Sequence, residues 1–236
     1  NRELLRAAGL LAEEGETATP NDLIIAVRTG GETEALQAVE SAERFLSEPQ
    51  APTPESVPHA RGLASALELL SAANLALISV PGQWATAEAR SALRRGLHVM
   101  LFSDNAPVKD EIALKREALT AGCLLMGPDC GTAIVNGVAL GFANTAPRGA
   151  IGLVAASGTG LQQVVTLLAA LGEGVSQAIG VGGRDGTAAG GLMTLAALDV
   201  LAADADTETL VVVGKPPAPD VRARIEARVR TIGKPT

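Results

Sequence analysis

The sequence predicts an α/β protein made of two parallel-sheet βα lobes, preceded by part of a smaller α/β lobe. Three observations carry this. From residue 61 onward helical and strand patterns alternate, interrupted only by loops over 127–149, the strand segments are almost continuously apolar, and glycine clusters fall where those segments end. With 236 residues, 47% of them hydrophobic, the chain is long for one core and has enough apolar material for two.

The first apolar run, 22–28, lies between turn residues and Gly30-Gly31 and reads as a buried strand. A helix fits 32–46, where Ala35, Leu36, Val39, Ala42 and Phe45 share one face. Residues 1–47 are thus a partial N-terminal lobe, and 48–60, with four prolines, form a stiff linker. The next lobe, 61–146, reads as helix 61–72, strand 74–80, helix 84–95, strand 97–103, helix 108–121 and strand 123–126, with loops over 127–149. The last lobe, 147–236, reads as strand 150–155, helix 158–172, strand 175–181, helix 190–203, strand 209–213 and helix 218–231. The start at Asn1 and the strand-like approach 233–236 predict a segment of a longer polypeptide.

Composition narrows the ligand. The net charge is −7, no basic run exceeds Arg94-Arg95, and aromatics make up 2% with no Tyr, which argues against nucleic acid and anionic membranes. The apolar runs are too short for a membrane span. Cys123 and Cys130 are too few and wrongly spaced for a disulfide framework or a zinc site, so they read as reduced thiols of a cytoplasmic protein, and no metal is expected. His59 in the linker and His98 inside an apolar strand offer no histidine-based mechanism.

Chemistry is therefore sought in loops beyond the carboxyl ends of strands, where open parallel sheets bind ligands. Ser157-Gly158-Thr159-Gly160 opens a helix at once. Two hydroxyls, free N–H groups and the positive end of the helix dipole suit a phosphate or carboxylate, while a plain N-cap explains the same residues equally well. Gly182-Gly183-Arg184-Asp185 reads either as an anion-binding nest with an arginine fork or as an exposed turn with an Arg–Asp pair. Lys215 follows the next strand at the same edge, although taken alone it reads better as a solvated surface lysine. In the preceding lobe Val80-Pro81, Ser103 with Asn105, and Gly127-Pro128-Asp129-Cys130 occupy equivalent positions. Cys130 has no nearby His in sequence and an Asp129 that opposes ionisation, so it reads as a buried turn cysteine.

In order, residues 127–132 (Gly-Pro-Asp-Cys-Gly-Thr), 152–159 (Gly-Leu-Val-Ala-Ala-Ser-Gly-Thr) and 179–185 (Ile-Gly-Val-Gly-Gly-Arg-Asp) resemble the α-subunit of succinyl-CoA synthetase and its relatives. Stretches 74–80, 102–105, 142–144, 180–185 and 215–217 look most like the FdrA branch of that superfamily. The resemblance implies a Rossmann-like lobe of the CoA-binding type followed by a flavodoxin-like lobe of the ligase type. It also implies acyl phosphates handled at helix N-termini. It places Ser157, Gly158 and Thr159 on the phosphate-facing loop, and Val80, Pro81, Ser103 and Asn105 along the CoA crevice. Gly160, Gly182, Gly183, Asp185 and residues 127–130 are the expected phosphate or acyl contacts, with Ser157, Thr159, Arg184 and Lys215 as the catalytic set. The sequence departs from the synthetases in three places. The glycine-rich first turn of the CoA lobe is not visible, a phosphohistidine loop would lie beyond Thr236, and Lys215 stands where the synthetases place a glutamate.

The FdrA resemblance implies a carbamoyltransferase component of ureide (allantoin) breakdown. Its ligands would be carbamoyl or acyl phosphate and an oxamate-like carboxylate, its partners the other subunits of a hetero-oligomeric enzyme. Two alternatives stand beside it: an NDP-forming acyl-CoA synthetase subunit using CoA and a phosphohistidine, and a non-catalytic binding or scaffold subunit.

Overall fold

A computed structural model of the chain describes residues 2–19, 22–47 and 60–236. It divides into two compact units, Asn1–His59 and Ala60–Thr236. In the first, α1 (Arg2–Ala7), α2 (Glu13–Glu16) and α3 (Glu32–Ser47) are helical. Residues 22–29 are not a strand: they have no ladder partner among the described residues, and Leu23, Ile25 and Val27 stay exposed. An apolar run becomes a strand only when its N–H and C=O groups meet a neighbouring backbone, and among the described residues none pairs with this one. The expected linker, 48–60, lies outside the described residues except for Ala60.

The second unit holds two sheets. In the first, β1 (Leu75–Ile78), β2 (His98–Leu101) and β3 (Leu125–Met126) run parallel in the order β1-β2-β3, with Leu75 beside His98 and Val99 beside Leu125. Between them run α4 (Leu63–Leu69), preceding β1, then α5 (Gly82–Leu93) and α6 (Val108–Thr120). α5 buries Ala85, Ala89, Ala92 and Leu93, a stripe at helical spacing whose small residues bring the helix close to the sheet. His98, at the start of the central strand β2, accepts a hydrogen bond from the Leu124 N–H at Nδ1, so it ties β2 to the approach of β3.

The second sheet comprises β4 (Thr132–Val135), β5 (Val138–Gly141), β6 (Arg148–Ala155), β7 (Val175–Gly180) and β8 (Thr209–Val213), ordered β5-β4-β7-β6-β8. β6, β7 and β8 are parallel. β4 and β5 are an antiparallel hairpin joined to β7 at Ile134, so this sheet is mixed. Residues 132–141 were expected to be loop. The signal against that expectation was present: Asn136 (φ 50°) and Gly137 (φ 78°) form the two-residue left-handed turn that hairpins favour. Gly137→Val should cost about 1–2 kcal/mol, because a β-branched residue resists that φ. A chemical denaturation midpoint equal to that of the unchanged chain would contradict this.

α7 (Gly158–Ala170), α8 (Leu192–Ala203) and α9 (Pro219–Val229) cover the second sheet. Alternation along β6 splits its burial between two cores. Leu153 and Ala155 face Leu161 and Val165 of α7, while Val154 faces Ala197, Leu198 and Leu201 of α8. The α8 cluster is continuous with Val99, Leu101, Leu114 and Leu125, so one apolar core runs from the first sheet to the second. That shared core brings the carboxyl ends of both sheets to one place. No helix among the described residues is long and apolar enough to cross a membrane.

Candidate functional site

A cleft of about 1110 Å³ opens where the strands of both sheets end. β1 leads into Ser79-Val80-Pro81, β2 into Phe102-Ser103-Asp104 and β3 toward Asp129. From the second sheet come Ala156-Ser157-Gly158-Thr159, Gly183 and Lys215-Pro216-Pro217. Among the expected site residues, Val80, Pro81, Ser103, Asp129, Ser157, Gly158, Thr159, Gly183 and Lys215 line the cleft.

Ser157 is the N-cap of α7. Its extended backbone (φ −129°, ψ 113°) ends β6, and its Oγ accepts the Gly160 N–H at 3.2 Å. The capping role and the anion-facing role coincide here. While Oγ accepts from Gly160, its own O–H stays available as a donor, and the N–H groups of Gly158 and Thr159 have no intrahelical acceptor. Gly160 sits close beneath that cap, where an added Cβ would crowd Ser157 Oγ and Val213. Lys215 is exposed, makes no ion pair or hydrogen bond among the described residues, and is the only cation lining the cleft.

Asp185, Arg184 and Cys130 are among the expected contacts that do not line the cleft. Asp185 is fully buried. Its Oδ1 accepts from Lys115 Nζ (2.8 Å) and the Met193 N–H (3.1 Å), and its Oδ2 accepts from the N–H (2.9 Å) and hydroxyl (2.7 Å) of Thr194. Both oxygens are thus committed to the start of α8 and to Lys115, and none faces a ligand. Arg184 does not pair with Asp185. Its Nε lies 2.8 Å from Glu111 Oε2, and its NH2 group donates to the Ala106 carbonyl at 2.9 Å. Cys130 is buried, with Sγ 3.4 Å from the Gly180 carbonyl oxygen.

Burial, more than the neighbouring Asp129 charge, pushes the Cys130 thiol from an ordinary 9.0 up to about 11. Since the folded value exceeds the unfolded one, the stability held by the neutral thiol is intact below about pH 9 and is lost as pH rises toward 11. Iodoacetamide at pH 8 should leave Cys130 unmodified in the folded chain while alkylating it in denaturant. Modification at equal rates, read by peptide mass, would contradict this.

Gly127, Pro128 and Gly182, also expected contacts, do not line the cleft but pack closely among the strand-end loops. Gly127 (φ 103°) leaves no room for a Cβ against the Leu101 carbonyl, and Gly182 (φ 86°) none against that of Pro128. Asn105 (φ 54°) lies against Gly82 at the start of α5 and does not line the cleft. Residues not anticipated include Gln162, whose Nε2 donates to Thr132 Oγ1 at 2.8 Å, and Phe102 and Phe142, whose rings meet edge to face at 5.1 Å. Glu111 and Lys115 were also unforeseen. An i,i+4 Glu–Lys pair on an amphipathic helix reads as a solvated face, yet here both are buried and tie α6 to the β7–α8 loop.

Residues 1–60 match the family model "AllF, heavy metal-associated domain". This segment contains no cysteine and one histidine, His59, and no cluster of three His, Cys, Asp or Glu side chains able to hold a metal occurs among the described residues. Over its whole length the chain is 46% identical to the protein YahF of Escherichia coli (strain K12), of which it covers 46%. Over 61% of its length it is 34% identical to the α-2 subunit of a mitochondrial ADP-forming succinate–CoA ligase of Trichomonas vaginalis, covering 47% of that protein. The corresponding α-subunit of Aquifex aeolicus is 31% identical over the same share, with 48% covered. The chain spans about half the length of these relatives. Among solved structures it resembles an ATP citrate lyase of Methanothrix soehngenii in complex with citrate and coenzyme A (TM-score 0.66, 15% identity, 76% of this chain and 31% of that one). It also resembles the apo form of a dinucleotide-forming acetyl-coenzyme A synthetase 1 of Ca. Korarchaeum cryptofilum (TM-score 0.51, 19% identity, 75% and 38%). These two likenesses establish the fold.

Proposed function

Because the chain belongs to the succinyl-CoA synthetase and acyl-CoA synthetase superfamily, we propose that its cleft binds the phosphoryl group of an acyl phosphate at the start of α7. We further propose that the enzyme it belongs to is an FdrA-type carbamoyltransferase of ureide breakdown. The carrying observation is the convergence of Ser157, Gly158 and Thr159 with the unpaired Lys215 on one cleft. Helix N-terminal N–H groups and a nearby ammonium are the standard complement of a phosphate dianion.

The reaction needs no redox partner. A phosphate oxygen attacks the ureido carbonyl carbon of oxalurate and forms a C–O bond. The C–N bond to the oxamate nitrogen then breaks, that nitrogen takes the proton brought by hydrogen phosphate, and carbamoyl phosphate and oxamate result. In this account Gly158 and Thr159 N–H hold the phosphoryl oxygens, the Ser157 hydroxyl donates to the oxyanion of the tetrahedral intermediate, and Lys215 balances the dianion's charge. Positioning and electrostatics supply the catalysis, without a protein nucleophile.

Charge argues against CoA as the occupant of this cleft. CoA carries three phosphate groups, and the lining offers them one cation, Lys215, beside Asp104 and Asp129. Calorimetric titration with inorganic phosphate should give one site, weakened about ten-fold or more by Lys215→Ala. Phosphate heats that do not change in Lys215→Ala, or heat with CoA alone, would reject this reading.

A further inference from the structure

The lining of the cleft carries both signs of charge. The five-stranded sheet contributes the first turn of α7 and Lys215. The three-stranded sheet contributes Asp104, beyond β2, and Asp129, beyond β3. Both carboxylates are exposed, and neither side chain has a hydrogen-bond or ion-pair partner among the described residues. Asp129 is fixed by its backbone: it sits at φ 59° and its N–H donates to the Ser103 carbonyl at 3.0 Å. Phe102 and Phe142, in edge-to-face contact, also line the cleft and keep part of its surface apolar, which strengthens charge interactions next to them.

A phosphate alone is attracted by Lys215 and the start of α7 and repelled by Asp104 and Asp129. A phosphate ester carrying a terminal amide satisfies both, because its N–H groups donate to carboxylates, which only accept. We propose that Asp104 and Asp129 are specificity-determining residues that accept N–H bonds from the substrate amide. The cleft then takes carbamoyl phosphate, and amide-bearing carboxylates, in preference to isosteres with a methyl group in that place. Gln162, held by Thr132, adds a polar amide to the same lining. This inference rests on the assignment of the phosphate to the start of α7.

The test uses isosteric pairs that differ by NH2 against CH3, carbamoyl phosphate against acetyl phosphate and oxamate against pyruvate, titrated calorimetrically in EDTA. The unchanged chain should favour the amide of each pair by about ten-fold. In the Asp104→Ala/Asp129→Gly double variant the pair should come within about two-fold, while inorganic phosphate binds as tightly or more tightly because negative charge has gone. Glycine at 129 keeps the left-handed backbone unstrained, and retained phosphate binding reports that the site is folded. Equal affinity for both members of each pair in the unchanged chain would overturn this inference and leave the phosphate site standing. An amide preference that survives in the double variant, or that needs added Mg2+, would also overturn it. Absence of inorganic phosphate binding would instead remove the phosphate site on which the inference rests.

Discussion

Lys115→Met is expected to destabilise the 60–236 unit by about 3–5 kcal/mol, which shows as a large fall in the urea midpoint. The Lys115 ammonium is fully buried and donates to Glu111 Oε1 (2.8 Å), Asp185 Oδ1 (2.8 Å) and the Val181 carbonyl (3.0 Å). Together with Arg184 on Glu111 Oε2, two cations face two carboxylates. Removing Lys115 leaves two buried carboxylates with only the half-exposed Arg184 to balance them, and an uncompensated buried charge costs far more than the pair contributes. The loss reaches the site, since the clamp holds the β7–α8 loop that brings Gly183, Gly186 and Thr187 to the cleft. A midpoint shift worth less than about 1 kcal/mol would show that the four charges do not act as a unit.

Turnover should fall about 100-fold or more in Ser157→Ala and in Lys215→Ala, assayed as phosphorolysis of oxalurate by the assembled enzyme. Ser157→Ala removes a donor aimed at the developing oxyanion and also the α7 cap, which alone costs about 1 kcal/mol of stability. Lys215→Ala touches no internal partner among the described residues and should leave stability unchanged, so it is the cleaner variant. Rates within about two-fold of the unchanged enzyme in both would remove these residues from the catalytic set.

Much of the fold was legible because its signals are local. β1, β2, β6, β7 and β8 are short apolar runs between amphipathic helices, and their order sets which loops share an edge. The β4–β5 hairpin was legible in Asn136-Gly137 but fell among residues read as loop. The failure at 22–28 has the opposite cause: an apolar run signals a strand, but pairing depends on a partner elsewhere in the chain. At the site, Ser157, Gly158, Thr159 and Gly183, all beyond strand ends, line the cleft, since their placement follows from the order of elements. Side-chain direction does not. Arg184 and Asp185 are neighbours, yet one reaches α6 and the other caps α8 beside Lys115. Glu111 and Lys115 look like a solvated pair until α8 and the β7–α8 loop pack over them, a long-range contact that helical spacing cannot encode.

Amide NMR reads the proposed phosphate site at the start of α7 residue by residue. With inorganic phosphate titrated into the 15N-labelled chain, the Gly158 and Thr159 resonances should shift along one saturable curve, and the Lys215→Ala variant should weaken that curve. Saturable shifts confined to other loops, or no shift at Gly158 and Thr159 up to saturating phosphate, would contradict it.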